Sequence, residues 1–179
     1  MSTIKSTKSN EEMAQIFYRT GVWFDSLPTE SDVDMGIGTS DAEVGDCNTP
    51  ACFGGWLSVM FGTEIYNNPS SRFHGTRGYN DGADEFAKEL GFVDYDQIRD
   101  WASQNPHYWG NRWGRGIFSC AMAFNEEGGY TYIDGITVKD IANKLLAVAK
   151  RLDKDVEIRF AKKDTVIPKI TVNTKQKVC

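Results

Sequence analysis

The sequence predicts an α+β protein, mostly helical, built as a single domain with a buried central helix and a C-terminal arm like a β-hairpin. Three observations predict it. Apolar residues recur at helical spacing from Met13 to Leu27 and again from Val138 to Leu152, and each run follows a capping residue, Ser9 or Thr137. The stretch from Ala51 to Phe61 is apolar nearly all round, as an interior helix is. Two late segments, Val156-Glu157-Ile158-Arg159-Phe160 and Val166 to Val172, alternate apolar and polar residues as strands do. The expected organisation is a helical body over residues 1–152 and a basic, β-like extension over 153–179.

The elements follow in chain order. Ser9-Asn10-Glu11-Glu12 is a capping box, with Ser9 as cap and Glu12 reaching back. Met13, Ile16, Phe17, Thr20, Trp23, Phe24 and Leu27 form the stripe of a first helix over about 10–26, ended by Leu27-Pro28. Residues 28–49 are a long loop containing Glu30, Asp32, Asp34, Asp41, Glu43 and Asp46 and no Lys or Arg. A second helix is expected over 50–61, with Asn48 or Thr49 as cap and Pro50 in the first turn, where a missing N–H costs nothing. Gly54, Gly55 and Ser58 leave its surface bare. Each interior glycine costs a helix about 1 kcal/mol relative to alanine, so close approach of another backbone is expected there. Gly62 ends it.

Residues 63–80 read as loop. A third helix fits 81–90, closed by Gly91, and a fourth fits 94–104, closed before Pro106. Residues 117–124 read as helix, with a buried strand as the alternative, and Tyr130 to Ile133 as a weak strand. Thr137 caps the clearest helix, with Asp140 in its first turn and Lys150 and Arg151 at its basic end.

Composition narrows the function classes. The 179 residues are enough for one domain with a real core. No apolar run approaches the roughly 20 residues needed to span a bilayer, and Met1 to Lys8 has no apolar core and does not read as a signal peptide. A cytoplasmic location is expected, with reduced thiols. Cys120 reads as a core thiol and Cys179 as an exposed one. The net charge of −5 divides into −11 over residues 1–143 (10 Lys/Arg, 21 Asp/Glu) and +6 over 144–179 (10 Lys/Arg, 4 Asp/Glu). An acidic body disfavours broad nucleic-acid affinity, because phosphate contacts supply most of such binding. The basic tail reads first as the complement of that acidic surface.

Three groups of residues could carry chemistry. Cys47 and Cys52 lie five residues apart, and Cys52 falls in the first turn of the second helix, where the dipole lowers a thiol's pKa. In an enzyme reading, Cys52 (or Cys47) is the nucleophile, His74 or His107 the base, and Asp81 orients the base. In the structural reading, which the sequence favours, Cys52 is a small packed thiol. Cys47, Cys52, His74 and His107 are also zinc-ligand types, but their spacing matches no zinc pattern. The acidic loop lacks the glycine a calcium loop needs at its sixth position. No metal and no cofactor is therefore predicted. The third group is the segment 107–116, where Trp109, Asn111, Arg112, Trp113 and Arg115 are the candidate binding residues. Aromatic faces and guanidinium groups interleaved with glycine stack on ligands and anchor protein interfaces. The alternative is that Trp109 and Trp113 pack inward while Arg112 and Arg115 neutralise the acidic body.

Leu27-Pro28, Asp34-Met35-Gly36 and Cys47-Asn48-Thr49-Pro50-Ala51-Cys52 with Gly55-Trp56 together resemble small uncharacterised proteins of bacteria and their phages, whose shared core looks like "LP…DMG…CGTxxCxxGxA". Asn48 stands where that core has glycine, and Ser58 follows Trp56-Leu57 where small residues are common. Trp109-Gly110-Asn111, the Ile117-Phe118 pair and the Thr-capped final helix add to the likeness. It spans roughly residues 20–150 and implies no activity. The expectation is a small intracellular accessory protein, phage-encoded by that resemblance. It would bind another macromolecule, a protein before a nucleic acid and not a membrane. The rival is a cysteine-dependent hydrolase or transferase using Cys52 with His74 or His107.

Overall fold

The computed structural model describes residues 3–27, 53–62, 81–109, 122–124, 130–132 and 137–162. The helices among them are α1 (Asn10–Asp25), α2 (Phe53–Phe61), α3 (Asp81–Glu89), α4 (Tyr95–Gln104), α5 (Pro106–Trp109), α6 (Val138–Leu152) and α7 (Val156–Lys162). The strands are β1 (Met122–Phe124) and β2 (Tyr130–Tyr132).

α1 and α6, the helices with the strongest stripes and caps, form the principal packed pair. Ser9 accepts from the Glu12 amide while the Glu12 carboxylate accepts from the Ser9 amide at 2.8 Å. Thr137 and Asp140 repeat the arrangement on α6. Each box satisfies N–H groups that the first helical turn leaves without partners. Met13, Ala14, Phe17, Trp23 and Phe24 of α1 and Val138, Ile141, Ala142, Leu145, Val148 and Ala149 of α6 enter the core.

Gly21 sets how close these two helices come. A Cβ built there would lie 2.9 Å from two atoms of the Leu146 side chain and 3.2 Å from the Ala142 carbonyl oxygen. Gly21→Val should therefore destabilise the protein by about 1–3 kcal/mol, because overpacking at a rigid contact forces the helices apart. Thermal unfolding followed at 222 nm should show Tm lowered by several degrees, at roughly 2–4 °C per kcal/mol for a chain of this size. An unchanged Tm would mean that α1 and α6 do not meet at this point.

An uninterrupted series of ring contacts ties the shorter helices to α1. Trp23 meets Trp56 of α2 edge-on at 6.4 Å and its neighbour Phe24 at 5.1 Å. Phe24 stacks on Phe53 at 5.4 Å, and Phe53 meets Phe86 of α3 at 6.0 Å. Phe86 meets Phe17 at 5.8 Å, and Phe17 meets Trp101 of α4 and Trp109 of α5. α2 buries Phe53 and Leu57, while Trp56, Met60 and Phe61 are half-buried. α3 ends in a Schellman motif: the Phe92 amide donates to the Ala87 carbonyl and the Gly91 amide to Lys88, both at 2.9 Å. Gly91 takes φ +81°, a conformation that costs a residue with a Cβ. Arg19 of α1 pairs with Glu89 at the end of α3.

The α+β class with a C-terminal β-hairpin is corrected by the structure. The first supposed strand of the arm is the helix α7. The alternation Val156, Ile158, Phe160 has period two, yet Val156 and Phe160 also lie four residues apart, on one helical face. Val156 is buried and the Phe160 ring lies 5.0 Å from Tyr18 of α1, whereas Ile158 is 58% exposed. A turn leads into the helix: the Asp153 carboxylate accepts from the Asp155 amide at 3.0 Å, and the Asp155 carbonyl accepts from the Ile158 and Arg159 amides. The second supposed strand, 166–172, lies outside the described residues. The strand pairing among the described residues is one antiparallel ladder, Met122–Phe124 with Tyr130–Tyr132, so residues 122–124 are strand where helix was the first expectation.

The described part of the basic tail pairs mostly within itself and reaches the acidic body at Glu11. Arg159 reaches Asp153 at 2.8 Å and Glu11 at 3.3 Å, and Lys150 reaches Glu157 at 3.2 Å. The Tyr18 hydroxyl donates to Glu157 at 3.3 Å. Burial, then the Glu157 charge, raises the Tyr18 phenol above its ordinary pKa.

Candidate functional site

Of the residues singled out from the sequence, His107 and Trp109 on α5 lie in the described part, as does Asp81, the first residue of α3. Cys47, Cys52, His74, Asn111, Arg112, Trp113 and Arg115 lie outside it, as does the acidic loop 28–49. The surroundings of Gly54, Gly55 and Ser58 are likewise outside the described part.

α5 is one helical turn, where loop was expected. Pro106 occupies its first position, with φ already helical and no N–H to satisfy. The preceding Asn105 closes α4, its side-chain amide donating to the Trp101 carbonyl at 2.9 Å. Its own carbonyl accepts from the Tyr108 amide at 3.1 Å.

The far end of α5 is held by two cations from α6. Lys144 Nζ donates to the Trp109 carbonyl at 2.7 Å, and the Arg151 guanidinium donates to the Tyr108 carbonyl at 2.5 Å. The last carbonyls of a helix carry its negative pole, so cations there satisfy both the hydrogen bonds and the dipole. Burial, then the neighbouring Arg151 charge, lowers the Lys144 ammonium below its ordinary pKa. Residues 144 and 151 are seven apart and so share a face of α6. That spacing, with Pro106 as a helix start, was the available signal for this clamp.

The two predicted site residues on α5 have opposite surroundings. His107 is exposed, and its ring lies 4.1 Å from that of Tyr108, tilted by 45°. Tyr108 stacks on Trp101 at 5.8 Å, and its hydroxyl accepts from the Asn10 side-chain amide at 3.5 Å. Trp109 is fully buried, its indole edge-on to Phe17 at 5.5 Å and to Trp101 at 6.2 Å. Trp109, a candidate binding residue, is packed in the core of this structure. The inward packing left open by the sequence holds for this tryptophan.

Among the described residues, no three His, Cys, Asp or Glu side chains are grouped to hold a metal ion. No described helix is long and apolar enough to cross a membrane. No family model, curated protein or solved structure matches the chain.

Proposed function

We propose that this protein acts by binding another protein through the segment that begins at His107, as a small accessory protein of the cytoplasm, phage-encoded in keeping with its sequence resemblance. The observation that carries the reading is the clamped base of that segment. α5 is fixed by a buried indole and by two cations on its last carbonyls, while His107 stays exposed. A recognition segment anchored on a rigid base loses less conformational entropy on binding. Arg112 and Arg115, close in sequence to this base, are of the type that supplies interface anchors.

The test is affinity capture with the full-length chain. One stoichiometric partner should be retained by Cys52→Ala. Arg112→Ala with Arg115→Ala should weaken its binding by at least about tenfold, the loss of one good anchor, with the thermal melt unchanged. Selective labelling of Cys52 by iodoacetamide at neutral pH, lost in His74→Ala or His107→Ala, would overturn the reading in favour of a cysteine-dependent enzyme. Capture of single-stranded nucleic acid that falls steeply with salt would overturn it in favour of phosphate recognition.

A further inference from the structure

We infer that residues 4–8 form a latch that holds the α4–α5 corner in place, and with it His107. The inference rests on the binding reading above only for its functional consequence.

The segment precedes α1 and belongs to no helix or strand, yet it is tied down at two places. Ser6 Oγ donates to the Leu90 carbonyl at 2.5 Å and accepts from the Lys8 amide at 2.8 Å. The Thr7 amide and hydroxyl both donate to the Gly91 carbonyl, at 3.0 and 3.2 Å. These carbonyls end α3, where the helix leaves acceptors without internal donors. The fit over Gly91 is close: a Cβ there would lie 2.6 Å from Thr7 Oγ1, 2.8 Å from Ser6 Oγ and 3.0 Å from the Lys8 amide nitrogen. Gly91 therefore serves both the left-handed turn and the seat of the latch. The second tie is at the other end of α4, where the Ile4 amide donates to Gln104 Oε1 at 3.0 Å. Ile4 packs against the core.

The latch thus grips the turn before α4 and the last residue of α4. Three residues on from Gln104 stands His107, and Asn10, in the first turn of α1, reaches Tyr108. Exposed and part-buried polar bonds of this kind open more readily than a packed core, so the latch can release while α1 and α6 stay paired. Release frees the corner from which α5 projects.

The experiment is hydrogen–deuterium exchange on the full chain. Ser6→Ala with Thr7→Pro removes the hydroxyls and the Thr7 amide donor; Lys5→Ala is the control. The Tyr108 amide should exchange about tenfold faster in the unlatched chain, the effect of losing one or two net hydrogen bonds. α6 amides should be unchanged in both variants. Should the double variant fail to fold, Gln104→Ala removes the second tie alone and should accelerate the same amide. Equal Tyr108 exchange in the unlatched and control chains overturns the latch. Exchange needs no partner, so a chain that captures no partner but shows accelerated Tyr108 exchange sinks the binding reading and keeps the latch. Unchanged exchange in a chain that does capture a partner does the reverse.

Discussion

Phe17→Ala should cost about 3–5 kcal/mol, the usual result of emptying a fully buried aromatic site. Phe17 has no exposed surface and touches rings from three other helices: Phe86 at 5.8 Å, Trp101 at 6.2 Å and Trp109 at 5.5 Å. Its loss removes transfer energy and leaves a cavity that four helices cannot close together. It also removes two edge-to-face contacts, each adding about 0.5–1.5 kcal/mol beyond area burial. Domains are stable by only about 5–15 kcal/mol in total, so the variant should lose much of its margin. Urea unfolding should give a lower midpoint with an unchanged slope. Phe17→Leu, which refills most of the apolar volume, should recover much of the loss. A midpoint unmoved by Phe17→Ala would place the ring outside the core and dissolve the aromatic series built around it.

Trp109→Ala should cost a similar amount, about 3–5 kcal/mol. The indole seals the junction of α1, α4 and α5, and it is the only one of the three α5 residues after Pro106 that is fully buried. Calorimetry on the purified chain, with no partner present, should show the lowered Tm, roughly 2–4 °C for each kcal/mol. Trp109→Phe should restore part of it. An alanine variant that melts with the parent would return Trp109 to the surface role its neighbours suggested.

The helices that the sequence displayed best were those with local punctuation. α1 and α6 each carry a reciprocal cap and a stripe of three or more turns, and both signals are complete within the segment. α7 was misread because five residues cannot separate a period of two from one of 3.6 when apolar groups stand at i and i+4. Its true signal was the turn Asp153-Lys154-Asp155, which was overshadowed by the end of α6. α5 was misread because Pro106 served as a stop signal for α4, when the same residue also starts the next helix. The role of Gly21 was not legible, since what it accommodates, Leu146 and the Ala142 carbonyl, comes from a helix more than a hundred residues later. The clamp on α5 was only half legible: the spacing of Lys144 and Arg151 puts them on one face of α6, but the carbonyls they meet lie 35 and 43 residues earlier. Trp109 shows the limit of composition, because an aromatic and arginine-rich run reads alike whether its rings face solvent or core.

The pairing of α1 with α6 also bears on how the chain is made. The ribosome delivers α1 early, while its partner is complete only at Leu152. At the usual rate of roughly 5–20 residues per second, that interval lasts on the order of ten seconds. Throughout it the nascent chain displays the side of α1 around Gly21 without Ala142 and Leu146, which will cover it. Closure across so long a separation is a slow kind of contact to form. This protein should therefore lean on holdase chaperones during synthesis.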